Sequence, residues 1–147
     1  MRLTISDLKF TNDFLNDPSI YPFITDDFNN GIINSEILLN NESVYFLSPD
    51  PCSLFIFHPM TTILYQGHMQ CRKGLERKPS WVAGREAIDW MFKNTKCKKI
   101  MGLTPSYCGS AVNLAIKCGF KIEGILAKSF FKNGKLFDQV ITGLAKK

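Results

Sequence analysis

Nothing in this 147-residue chain reads as a disulfide or metal framework. Its five cysteines (Cys52, Cys71, Cys97, Cys108, Cys118) are odd in number and include no C-x-x-C pair, and neither histidine stands at ligand spacing from any of them. A reduced, intracellular protein with no metal is the simplest expectation. Long apolar runs are also missing. The aliphatic–aromatic stretch Leu54–Phe57 is far short of a membrane span, and the N-terminus lacks the apolar core of a signal peptide, so a soluble cytoplasmic protein is expected. There is no internal repeat or low-complexity tract, and the Asn29-Asn30 and Asn40-Asn41 pairs punctuate loops in the first third.

What is present is one domain's worth of chain, long enough to bury about two thirds of the surface its unfolded form exposes. Its net charge of +5 hides an asymmetry: residues 1–60 hold two basic and eight acidic side chains, residues 61–147 sixteen basic and five acidic. A half so basic suits an anion, whether a phosphorylated cofactor, a nucleic acid or an acidic protein; a solvated basic face is the plainer alternative. No helix-turn-helix, zinc or RNA-binding signature accompanies the charge, which ranks nucleic acid last.

Periodicity predicts a strand from Leu3 to Ile5, then a helix capped by Ser6 or Asp7 with Phe10, Phe14 and Leu15 on one face, stopped by Pro18. A second helical piece is expected between Ile32 and Leu39. Strands follow at Val44–Leu47, Ser53–Phe57 and about Thr62–Cys71, the last two antiparallel. In the last of them Ile63, Tyr65, Met69 and Cys71 alternate with Leu64, Gln66, His68 and Gln70, so one face is largely polar and a cleft is expected there. Ser80 is the expected N-cap of a helix running to about Asn94. Then come a strand (Lys99–Leu103), a helix (about Ser106–Cys118) closing on Lys117-Cys118-Gly119-Phe120, and strands Ile122–Phe131 and Leu136–Leu144 joined by Asn133-Gly134. Gly119 suits the left-handed residue that closes a helix, and Asn133-Gly134 the two positive-φ residues of a two-residue hairpin. The sum is a mixed sheet with helices on both faces.

The order of basic strand, helix closing on Gly119-Phe120 and Asn-Gly hairpin, with Thr104-Pro105 between, resembles the GNAT acetyltransferases. It is most like those that acetylate protein N-termini or small amines. The resemblance implies an α+β fold with a mostly antiparallel twisted sheet and a V-shaped splay between the fourth and fifth strands. It also implies acetyl-CoA as co-substrate, its pyrophosphate at the start of the helix after the fourth strand. The matching segment is Arg72–Gly84. Pro79, Val82 and Gly84 fall on the glycine-bearing positions of the family's loop pattern, and only Gly84 fits it. The expected cofactor-binding residues are Met69, Cys71, Arg72, Lys73, Arg77, Lys78, Ser80, Gly84 and Arg85, the basic ones replacing lost backbone donors by charge-assisted bonds.

Direct attack of an amine on a thioester needs a base, an oxyanion donor and an acid for the thiolate. His68 is the candidate base and Tyr107 the candidate acid, with Ser106 and Cys108 nearby; structural roles are the alternative for both. The family's usual acid, a tyrosine four residues before Gly-Phe, is Ala115 here, and Gly109 stands where an asparagine is common. Asp26, Asp27 and Glu36 are expected to attract a cationic amine. The leading expectation is an N-acetyltransferase acting on a primary amine of a peptide or small molecule. The alternative is a catalytically degenerate GNAT-like binding module in a protein assembly, similar through Asp17–Asp27 to phage-encoded proteins carried with virion components.

Overall fold

The structure, a computed structural model, describes residues 2–3, 8–28, 31–34, 43–47, 52–72 and 79–147. Seven strands form one sheet: β1 (Arg2–Leu3), β2 (Val44–Leu47), β3 (Ser53–Pro59), β4 (Leu64–Cys71), β5 (Lys99–Pro105), β6 (Lys121–Lys132) and β7 (Lys135–Ala145). Their spatial order is β1-β2-β3-β4-β5-β7-β6. Every neighbouring pair is antiparallel except β4 and β5. Among the described residues the helices are α1 (Leu8–Leu15), α2 (Tyr21–Ile24), α3 (Ser80–Asn94) and α4 (Gly109–Lys117).

Alternation along β3 sorts the core into two halves, because successive side chains of a strand point to opposite faces. Phe55 and Phe57 join Ala87, Ile88 and Met91 of α3, Ile100 of β5 and Ala115 of α4. Leu54 and Ile56 join Phe14, Leu15 and Ile20 on the other face. Helices therefore cover both faces, α1 on one and α3 with α4 on the other, as the apolar spacing implied.

The β4–β5 pair shapes the molecule. The two strands are paired only from Leu64–Gln66 to Lys99–Met101. Beyond that β4 continues along β3 to Cys71, and β5 along β7 to Pro105. The free stretches Gly67–Cys71 and Gly102–Pro105 face each other across a gap, which is the V-shaped splay expected from the sequence.

The last third matches its expectations closely. Gly119 has φ +100°, its N–H bonds the Ile116 carbonyl at 2.9 Å, and the Phe120 N–H bonds the Ala115 carbonyl at 3.1 Å. These are the two closing bonds of a Schellman motif, with Phe120 folded back into the core. Asn133 and Gly134 have φ of 52° and 71°, as a tight hairpin with matching twist requires.

Some expectations are corrected. Pro79, not Ser80, occupies the N-cap of α3 and makes no side-chain cap. A proline can stand there because a helix start needs no N–H from it; Ser80 is the first helical residue, and its hydroxyl accepts from Ser53 Oγ–H at 3.2 Å. Helix α4 starts at Gly109 rather than Ser106, because β5 runs on to Pro105 and the Ser106 N–H is taken by the Asp138 carbonyl of the neighbouring loop end of β7. Residues 31–34 form no regular element, and the rest of the second helical piece, like Ser6 and Asp7, lies outside the described residues. Among the described residues no helix is long and apolar enough to cross a membrane.

Candidate active site

The splay opens a cavity of about 1210 Å³ that is lined from both faces of the sheet. Strand register sorts the lining. Gln66, His68 and Gln70 lie opposite His58, Ile56 and Leu54, and so share the α1 face. Pro105 and Gln139 are cross-strand partners on that same face, where Ile20 and Ile24 close over them. Gly67, Met69 and Cys71 point the other way, toward Pro79, Ser80 and Trp81 at the start of α3 and Ser110, Asn113 and Lys117 along α4. The cavity thus has two mouths of different chemistry, joined through the sheet.

His68 lies in the α1-face mouth. Its ring stands edge-to-face against His58, centroids 5.3 Å apart, and His58 Nδ1 lies 2.7 Å from Ser43 Oγ. Burial, and secondarily the adjacent His58, pulls the His68 pKa from 6.5 down to about 4; burial alone lowers that of His58. Desolvation disfavours the imidazolium, so at neutral pH His68 is uncharged with a lone pair available. Tyr107 also lines the cavity, its ring edge-on to Phe137 at 4.8 Å. Burial foremost, then Cys108, Asp27 and Asp26, raises its pKa, so the phenol keeps its proton.

Of the nine residues expected to hold the cofactor, Met69, Cys71 and Ser80 line the α3–α4 mouth. Arg72 does not. Its guanidinium pairs with Asp17 at 3.0 Å and stacks over Phe14 at 4.3 Å, which ties the end of β4 to α1. Gly84 is buried, and its absent side chain makes room for Cys118 rather than for a ligand. Arg85 is exposed on α3 outside the lining. Lys73, Arg77 and Lys78 lie outside the described residues.

The polar residues of α4 were missed in the sequence reading. Ser110, Asn113 and Lys117 recur at helical spacing and turn one polar stripe toward the cavity, a signal that was legible. Gln139 and Phe130 had no comparable signal, since only the β5–β7 register and the hairpin's bend bring them to the mouth.

Asp27 is not an open cation site. Its carboxylate accepts the N–H groups of Asn133 and Gly134, both at 2.8 Å, and these bonds lower its pKa. Lys132 Nζ donates to the Pro22 and Thr25 carbonyls at 2.7 and 2.6 Å, and Phe28 stacks on Phe131. This clasp joins the segment after α1 to the hairpin tip, bridging the two halves of the splayed sheet. Asp27→Ala should lower the thermal midpoint and speed amide exchange at Phe131–Gly134, read by hydrogen exchange; unchanged exchange there would show that the clasp is not holding the turn. Glu36 lies outside the described residues.

A sheet splayed between a parallel fourth and fifth strand, a helix entering from the fourth, and a long hairpin after the fifth define the GNAT fold. No family model and no curated protein matches the chain in sequence. Solved structures do match. Spermidine N-acetyltransferase from Vibrio cholerae in complex with CoA and spermine superposes with a TM-score of 0.78 at 20% identity, over 99% of this chain and 93% of that one. A chimera of that Vibrio enzyme matches with a TM-score of 0.78 at 18% identity, over 99% and 93%. Mutant forms of the same spermidine/spermine N-acetyltransferase match with 0.74 at 19%, over 99% and 91%. The fold is shared over nearly the whole chain.

Proposed function

We propose that the protein is an acetyl-CoA-dependent N-acetyltransferase acting on a primary amine. The observation that carries this reading is the cavity that passes through the sheet at the β4–β5 splay, with one mouth suited to an anion and the other holding an uncharged histidine. A solved protein of the same fold binds CoA, which supports it. The residues fit the co-substrate. The first turn of α3 has N–H groups without helical acceptors, Lys117 lines the same cavity, and the cavity is nucleotide-sized. The free edges of β4 and β5 offer backbone groups to an extended arm, as a third strand would. Bound acetyl-CoA would supply the activated acyl group.

The chain's own residues would then manage protons. The amine nitrogen bonds to the thioester carbonyl carbon, the carbon–sulfur bond breaks, and the sulfur leaves as thiolate. His68 hydrogen-bonds the neutral amine and takes a proton from its nitrogen as the new bond forms, and its lowered pKa lets the imidazolium give that proton up to water. Tyr107, held protonated, is the donor available for the departing thiolate. The docking-module alternative has no observation in its favour, since docking alone needs no passage through the sheet.

Calorimetric titration with acetyl-CoA, beside ATP at two salt concentrations, tests this. Saturable binding specific to acetyl-CoA and weakened several-fold by Lys117→Ala is the expected result. His68→Gln should leave that binding intact and lower kcat by roughly a hundredfold or more, the usual worth of a positioned proton-transfer group. Equal, salt-sensitive binding of both nucleotides would reduce the interaction to phosphate attraction and overturn the proposal.

A further inference from the structure

We infer that the Thr142 hydroxyl donates to the thioester carbonyl oxygen of the acyl donor at the closed end of the splay; this rests on the reading of the cleft as an acetyltransferase site. Among the described residues two buried side-chain atoms lack a hydrogen-bond partner, Arg72 Nε and Thr142 Oγ1. Arg72 has another use, since its guanidinium pairs with Asp17 through a different nitrogen. Thr142 Oγ1 has no such pairing. The residue is 1% exposed, lies on β7 and lines the cavity. A buried hydroxyl without a partner costs stability, and valine would fill the same strand position without that cost. An unmet polar group kept in a cavity wall points to a bond made when the cavity is filled.

Its position fits one atom of the co-substrate. Thr142 stands opposite Gly102, so the two share a face, and Ile100, two residues before Gly102, puts that face on the side of α3 and α4. A Cβ on Gly102 would lie 2.7 Å from Thr142 Oγ1, so the glycine is what lets the hydroxyl lean across β5 toward the gap. Gly67 and Gly102 open the two free stretches, just past the last paired residues Gln66 and Met101. The first turn of α3 stands level with the other end of the free edge, because Ser80 Oγ meets Ser53, the cross-strand partner of Cys71. From Cys71 back to Gly67 that edge is about 13 Å long, at about 3.3 Å per residue. The arm of CoA, two amides ending in a thioethyl group, spans about four peptide lengths, or about 14 Å. With the pyrophosphate at the first turn of α3, an arm along β4 brings the thioester to Gly102 and Thr142. Attack by the amine turns the carbonyl oxygen into an oxyanion, and a fixed donor in a site closed to water is worth most there.

The test is calorimetric titration with acetyl-CoA and with S-ethyl-CoA, a thioether of the same size in which a methylene replaces the carbonyl. The unsubstituted protein is expected to prefer acetyl-CoA. Thr142→Val should lose roughly three- to tenfold in acetyl-CoA affinity, the worth of one neutral hydrogen bond, with S-ethyl-CoA binding unchanged. Thr142→Ser keeps the oxygen and should keep the preference. Without ligand, the thermal midpoint of Thr142→Val should equal or exceed that of the unsubstituted protein, since an unmet hydroxyl has been removed. A lower midpoint for unliganded Thr142→Val, or equal loss of both compounds, would mean that the hydroxyl serves the fold and would overturn the inference. So would the absence of any preference in the unsubstituted protein, or a preference that Thr142→Val leaves untouched. Failure of the unsubstituted protein to bind either compound would strike the proposed function and this inference with it, so the two failures are distinguishable.

Discussion

Acidification from neutral pH is expected to weaken the fold before Asp17 and Asp27 titrate, and His68→Gln to remove most of that loss. The sign follows from proton counting. The folded state holds His68 neutral down to a pKa of about 4, while the unfolded chain protonates it at 6.5. Above 6.5 both states are neutral and nothing is lost. Between 6.5 and about 4 the unfolded state binds more protons, so stability falls as the pH is lowered, and it levels off once both states are protonated. At about 1.36 kcal/mol per pH unit the full loss is about 3 kcal/mol, a sizeable part of a small domain's stability. Burial also depresses His58, so the residual slope in His68→Gln belongs to it. Asp17 and Asp27 act below this window: their lowered pKa values give stability that is present above 3.8 and lost only as pH falls further. Urea midpoints measured across the range, for the protein and for His68→Gln, separate the two regions. Parallel curves for the two proteins would mean that His68 is solvated and could not be the desolvated base proposed for catalysis.

His68, partly buried on the polar face of β4, illustrates which features were legible in sequence. Local rules read well. The alternation Gln66, His68, Gln70 placed a polar face on β4, Gly119-Phe120 closed α4, and Asn133-Gly134 turned the hairpin, each needing only neighbours a few residues away. Long-range partners did not read. Arg72 resembles a phosphate ligand until the fold brings Asp17 and Phe14 to it across α1. Asp27 resembles an amine trap until the hairpin tip, over a hundred residues on, offers it two N–H groups. In both cases the charge was visible and its partner was not, because pairing across elements depends on topology rather than spacing. Gln139 came to the α1-face mouth the same way, through its register opposite Pro105.

Gly84 poses the same question in a form that a mutation can settle. In a phosphate-binding turn a glycine lets the ligand approach backbone; here it lies inside α3 and lets another helix approach. A Cβ built on Gly84 would lie 2.9 Å from Cys118 Sγ, 3.4 Å from the Phe55 ring and 3.7 Å from Met69 sulfur. The Cys118 thiol cannot simply swing away, since it is 2% exposed and donates to the Trp81 carbonyl at 3.6 Å. Alanine elsewhere in a helix would gain about 1 kcal/mol over glycine, but overpacking costs about 1–3 kcal/mol, so Gly84→Ala should destabilise modestly and Gly84→Val severely. The strain would also reach function. Separating α3 from α4 moves the first turn of α3 away from Lys117, and acetyl-CoA binding should weaken with stability. Cys118→Ala removes the clashing sulfur, so Gly84→Ala/Cys118→Ala should recover both, and a double-mutant cycle should return a favourable coupling of about 1 kcal/mol or more. Recovered stability without recovered binding would mean that Gly84 meets the phosphates directly. Recovery of both would show that the one residue matching the family's loop pattern has been kept for helix packing, and would support an anion held by the start of α3 and by α4.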